Sequence, residues 1–202
     1  MKKILISLMA IALMVGLVGA GVVASFSDEE TSTGNTFQAG TLDLKVDDDN
    51  PNVSPDFTLG PLAPGASGSQ TRLLTNVGNL PGFLDLSSVT VVNTEGLNPE
   101  SETGDTSESG ELGANLLVEL FLDVNGDGNY VSTDGDVNIF AGGAPAAING
   151  MASALYDLDY VLAASGFVNL QLNWSLSSAT GNDVQGDIVT VGMTFELDQV
   201  AD

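Results

Sequence analysis

The sequence contains no cysteine and no histidine, and only four Lys and Arg residues stand against 27 Asp and Glu. Without cysteine no disulfide can hold an exported fold, so stability must come from core burial, bound ions or assembly with neighbouring chains. Without His or Cys, the usual nucleophile and base pairs and the His-ligated zinc sites cannot be built. From the residues alone, the chain is expected not to be an enzyme. A chain this acidic also lacks the basic footprint that phosphate backbones require, so no nucleic-acid partner is expected. Aromatic residues are scarce, whereas 24 glycines indicate many turns.

Lys2 and Lys3 precede an apolar run from Ile4 to Val23, and small residues lead into Ala24. This order of charged, apolar and small-residue regions is that of a secretory signal. Residues 1–24 are therefore expected to be a signal peptide, and the remainder to be secreted to the cell surface or an extracellular matrix. An apolar run of about 20 residues also suffices to span a bilayer, so any membrane contact is expected only through the uncleaved precursor. Loss of the two lysines with the signal takes the formal net charge from −23 to −25. The rest of the chain is of a size that buries one proper core.

Period-two alternation, the mark of a strand with one buried face, recurs along the chain. Val168, Leu170, Leu172, Trp174 and Leu176 alternate with polar residues; so do Val189, Val191, Met193, Phe195 and Leu197, and so do Leu42, Leu44 and Val46. Leu116 to Val124 is more continuously apolar, as a central strand covered on both sides would be. Thr71 to Val77 and Leu84 to Val92 are weaker strand signals. Turn residues such as Pro64-Gly65, Gly78-Asn79, Pro81-Gly82 and Gly181-Asn182 separate these runs. The pattern predicts an all-β sandwich over residues 41–202. Met151, Leu155, Leu158, Val161 and Leu162 also fit a helical face, leaving helix and strand both open for 151–164. Residues 93–111, rich in Ser, Thr, Gly and Glu, are too polar to offset their ordering entropy and are expected to form an acidic surface loop.

One constellation carries chemistry. Asp123, Asn125, Asp127 and Asp134 occupy positions one, three, five and twelve of a loop spanning 123–134, with Gly128 at position six and the Asn129 carbonyl at seven. Calcium takes about 6–8 hard oxygen ligands, and this spacing wraps them around one ion while the glycine makes the sharp bend. Asp rather than Glu at position twelve, and Val131 at position nine, point to a modest affinity suited to extracellular fluid. Strand-like flanks place the ion at a hairpin tip, where Asn-Gly and Asp-Gly are turn residues in their own right. Calcium is the expected, structural, cofactor.

The run Ala24-Ser-Phe26-Ser-Asp28, with Gly34-Asn35-Thr36-Phe37-Gln-Ala39-Gly40-Thr41-Leu42-Asp43-Leu44, resembles the mature N-terminus of the TasA and camelysin family of exported fibre subunits. The resemblance continues in Leu62-Ala-Pro64-Gly65, in Asn76-Val-Gly78-Asn79-Leu-Pro81-Gly82 and in Asn182-Asp-Val-Gln185-Gly186-Asp187, and closes on Phe195 and Gln199. It implies a jelly-roll β-sandwich, cut by a dedicated signal peptidase, that polymerises with copies of itself into extracellular or biofilm-matrix filaments. A companion or anchoring subunit is a possible further partner. In such fibres the freed N-terminal segment, here 25–40, adds as a strand to the next subunit. The residues agree with this: Phe37 and Ala39 are odd positions whereas Leu42, Leu44 and Val46 are even, so the buried face switches at Gly40, where a bulge or hinge is expected. Phe26 and Phe37 are the candidate pocket fillers of a donated strand. Two alternatives accompany this reading. One is a camelysin-like cell-surface metallopeptidase, which without a His-Glu-x-x-His motif would need carboxylate-only ligation; the other is a monomeric, calcium-stabilised adhesion module.

Overall fold

The computed structural model describes residues 9, 40–47, 57–96, 110–151 and 156–199. The chain divides into two units, Met1–Gln38 and Ala39–Asp202; Phe26 and Phe37 lie outside the described residues. No helix among the described residues is long and apolar enough to cross a membrane.

The second unit is a sandwich of two antiparallel sheets. The first sheet runs in the order β1 (Leu44–Val46), β3 (Ser67–Asn76), β9 (Phe167–Leu176), β5 (Leu116–Asp123) and β6 (Val137–Phe140), and the short β7 (Ala146–Ala147) also pairs with β5. The second runs β2 (Phe57–Leu59), β10 (Ile188–Asp198), β4 (Gly82–Thr94) and β8 (Tyr156–Leu162). From β3 to β5, and again from β8 to β10, each successive long strand crosses to the opposite sheet. Alternate residues of every strand therefore meet a facing sheet. Leu74, Leu120, Leu122, Leu170 and Leu172 of the first sheet belong to one core with Phe57, Leu84, Leu86, Val89, Val189 and Val191 of the second. Full burial of such a side chain contributes about 1.5–3 kcal/mol, which is how the fold stands without a disulfide.

Two sequence signals that were weak have identifiable causes. Along β4 the buried large apolar residues are Leu84 and Leu86, then Val89, because the register against β10 shifts where Thr194 faces Ser88 and Phe195 faces Leu86. A bulge at Ser87 thus reverses which parity points inward. Met151 ends a short 3-10 turn, Ile148–Met151, and Tyr156–Leu162 is the strand β8, while Leu155 lies outside the described residues. Leu158 and Leu162 are buried while Val161 is exposed, so strand periodicity holds there and the helical alternative does not.

Asn76 is the buried polar junction of one end of the sandwich. Its Nδ2 donates to the carbonyls of Leu80 at 2.7 Å, Ala163 at 3.2 Å and Leu162 at 3.3 Å, and its Oδ1 accepts from the Gly78 N–H at 3.0 Å. One side chain thereby ties the end of β3 to the turn before β4 and to the end of β8.

Candidate functional site

The expected calcium loop is a β5–β6 hairpin connection, but it does not stand off as a tip. It folds back over the outer face of the first sheet. Phe121 and Asp123 point to that outer face and are nonetheless buried. Tyr130 packs edge-on against Phe121 with ring centroids 5.6 Å apart, and the Gly128 carbonyl accepts from Asn173 Nδ2 at 3.0 Å. Behind it runs a polar ladder in which the Thr71 hydroxyl donates to Gln171 Oε1 and Gln171 Nε2 donates to Asn173 Oδ1. Gly126 and Gly128 both take positive φ, 78° and 77°, a backbone that L side chains resist.

Within this loop the Asp123 carboxylate accepts from the Gly126 and Gly128 N–H groups at 2.7 and 2.9 Å. Asn125 Nδ2 donates to Asp127 at 3.0 Å and to Asp134 at 3.3 Å, bringing three of the expected ligands into contact. Asp127 Oδ1 accepts from the Asn129 N–H at 2.7 Å. That bond, with the Asn125 amide, holds the Asp127 carboxyl below its ordinary value of 3.8. Asp136 was not singled out in the sequence. It is buried, and its two oxygens accept from the Val124 and Val131 N–H groups at 3.0 and 2.9 Å, closing the loop across its base. The period of two from Asp123 through Asn129 carried the motif; Asp136 falls outside it.

A second acidic group is assembled from residues far apart in sequence. One carboxylate oxygen each from Glu95, Glu111 and Asp187 lie within 4.8 Å of one another. Asp187 is completely buried; its Oδ2 accepts from the Glu111 and Leu112 N–H groups at 2.7 and 3.1 Å, and its Oδ1 accepts from the Gly96 N–H at 3.3 Å. Both ends of the acidic segment are thus fastened to one carboxylate. A Cβ at Gly96 would lie 2.4 Å from the Gly186 backbone, and one at Gly110 would lie 2.9 Å from the Thr94 carbonyl. β4 continues through Thr94, two residues into the stretch read as loop, and 97–109 lie outside the described residues.

Gly40, expected to be a bulge or hinge, is a non-strand residue against Leu80, whose Cδ1 a Cβ would approach to 2.2 Å. Thr41 next to it donates its N–H to Asn79 Oδ1 at 2.7 Å and accepts from the Asn79 N–H at 3.0 Å. The chain is therefore pinned to the Gly78-Asn79-Leu80 turn immediately after Gly40. In the second sheet β2 pairs only with Val189–Val191 of β10, while β4 pairs along all eleven residues of β10. Among the described residues, β4 is the only neighbour of Thr194–Asp198. Phe195 and Leu197 pack against the core yet stay partly exposed.

A family model described as camelysin metallo-endopeptidase matches residues 1–202. No curated protein matches the chain. The family's description overturns the expectation that the chain is not an enzyme, since it points toward peptidase activity. That expectation rested on the missing histidine, which excludes His-based zinc ligation but leaves ligation by carboxylates alone. The residues present fit a hard divalent cation: Glu95, Glu111 and Asp187 offer an all-oxygen set, and the enclosed Oε2 of Glu111 accepts no hydrogen bond. Matched from end to end, the chain belongs to the camelysin metallo-endopeptidase family.

Proposed function

We propose that the chain is an exported structural subunit that polymerises with copies of itself into extracellular or matrix filaments, residues 25–39 of one subunit adding as a strand beside β10 of the next. The observation that carries this reading is the short β2. Among the described residues it covers three residues of an eleven-residue strand, and Thr194–Asp198, whose one described neighbour is β4, carries the half-buried Phe195 and Leu197 on its inward side. An added strand would contribute main-chain hydrogen bonds along Thr194–Asp198 and complete the burial of those two side chains. Fifteen extended residues, 25–39, reach about 50 Å at roughly 3.3 Å per residue, ample to leave one sandwich and pair with another. The Thr41–Asn79 clasp supports the same reading, because it fixes where the segment departs from its own domain. Calcium held by Asp123, Asn125, Asp127, Asn129 and Asp134 would stiffen the flap over the first sheet.

Negative-stain microscopy and light scattering of the chain beginning at Ser25 test the proposal. Filaments are expected, and deletion of 25–39 is expected to leave monomers. A truncated protein that polymerises at the unaltered rate would refute strand donation.

A metallo-endopeptidase activity is the second reading, favoured by the family's description and by the carboxylate group at the base of the acidic segment. Glu95, Glu111 and Asp187 would hold the ion there. A bound divalent metal supplies polarisation of a carbonyl and activation of water. Asp187 is kept in place by three main-chain N–H groups, so it would present its carboxylate without rearrangement. Casein hydrolysis that is abolished by chelation and by Glu111→Gln would support this reading; activity unaffected by both would remove it.

A further inference from the structure

We propose that Glu95, Glu111 and Asp187 bind one calcium-like divalent cation whose capture locks the two ends of the acidic segment together. The proposal concerns a metal site separate from the loop at 123–134, and it takes from the family's description only that a metal is present.

The oxygen geometry suits such an ion. Three carboxylate oxygens within 4.8 Å of one another match the span across a cation whose bonds are about 2.3–2.6 Å long. Asp187 Oδ2 uses both lone pairs on main-chain N–H groups, but Oδ1 takes only the longer Gly96 bond and keeps a lone pair for a metal. Glu111 Oε2 is shut off from solvent and accepts no hydrogen bond. An enclosed carboxylate oxygen without a donor is costly to leave so, and a cation removes that cost.

The charge balance points the same way. Three carboxylates meet here, and Lys45 and Arg72 are the chain's only cations beyond its first three residues. Arg72 is engaged with Asp47 at 3.3 Å and lies over the Phe57 ring, and Lys45 belongs to the edge strand β1. A hard all-oxygen donor set selects calcium, magnesium or manganese over zinc, which prefers nitrogen and sulfur. The wide spacing and partly enclosed position favour calcium, whose coordination of about 6–8 is flexible enough to be completed by water or carbonyl oxygen. The ion would neutralise the repulsion at this neck and hold Thr94–Gly96 against Gly110–Leu112 in one closed arrangement.

Calorimetric titration of the full exported chain with CaCl2, MnCl2 and ZnCl2, repeated on Glu111→Gln and Asp127→Ala, tests the site. The expected result is a calcium-binding event that Asp127→Ala keeps and Glu111→Gln weakens at least tenfold. Amide exchange at Gly96 and Leu112 should slow on adding CaCl2 to the unaltered protein but not to Glu111→Gln. Calcium binding by Glu111→Gln with unchanged stoichiometry and affinity would overturn the proposal, as would uptake of zinc alone. Should Glu111→Gln fail to fold, Glu95→Gln serves with the same two outcomes. Casein cleavage followed in parallel keeps the questions apart: calcium binding without cleavage sinks the peptidase reading and leaves this site standing.

Discussion

Replacing Asn76 tests whether one buried amide governs the end of the sandwich from which the N-terminal segment departs. Asn76 is fully buried, and its two Nδ2 hydrogens serve three carbonyls while Oδ1 takes the Gly78 N–H. Asn76→Ala removes about three net hydrogen bonds, each contributing about 0.5–1.5 kcal/mol, and leaves buried partners behind. The expected loss is about 3 kcal/mol, a large share of the roughly 5–15 kcal/mol that holds a domain. With a urea slope of about 2 kcal/mol/M, the unfolding midpoint followed by circular dichroism should fall by roughly 1.5 M. Asn76→Asp should be worse than Asn76→Ala at neutral pH, since it turns a carboxylate toward three carbonyl oxygens in a site closed to water. Gly78-Asn79 anchors Thr41, so both variants should also release the clasp on the N-terminal segment, seen as faster amide exchange at Thr41. A midpoint unchanged within about 0.3 M, or an Asp variant more stable than the Ala variant, would refute the reasoning.

Asp136→Ala should open the flap at its base by removing two charge-assisted bonds, at a cost of about 2–4 kcal/mol, read as faster exchange of the Val124 and Val131 amides. Calcium should raise the melting temperature of the unaltered protein by more than that of Asp127→Ala, which lacks one ligand of the loop at 123–134. The Asp127 carboxyl is held below its ordinary value by the Asn129 N–H and the Asn125 amide, so the stabilisation it gives is complete above the unfolded value and fades as pH falls through the folded one. Asp127→Asn should accordingly flatten the acid limb of stability below about pH 4, measured by melting at successive pH values.

The strands were legible wherever side-chain alternation is unbroken, as in β9 and β10, because a half-buried strand imposes a period of two on its own sequence. β4 was only faintly legible, since the bulge at Ser87 reverses the parity midway. The expectation that Leu116–Val124 is covered on both sides holds for Phe121 and Asp123 and fails for Leu117 and Val124, which are exposed. The cover comes from the following loop and ends where that loop ends. The ligand spacing at 123–134 was visible because it is local, but its position over the outer face depends on Asn173, 45 positions beyond the Gly128 carbonyl it holds. The carboxylates of Glu95, Glu111 and Asp187 had no signature at all: Glu95 and Asp187 meet because β4 and β10 are neighbours in the second sheet, and Glu111 joins them through its N–H bond to Asp187. The missing histidine and cysteine make a non-enzyme the expectation, with a carboxylate-only metallopeptidase as its alternative, and the family's description points toward peptidase activity instead.

The way Asp187 gathers the Gly96, Glu111 and Leu112 amides has a practical consequence for engineering. Two fixed ends suit an insertion between them, since doubling the length of a connection costs only about 0.6 kcal/mol in closure entropy. Epitopes, enzymes or affinity tags grafted between residues 97 and 109 should leave the sandwich folding as before, turning the chain into a display scaffold.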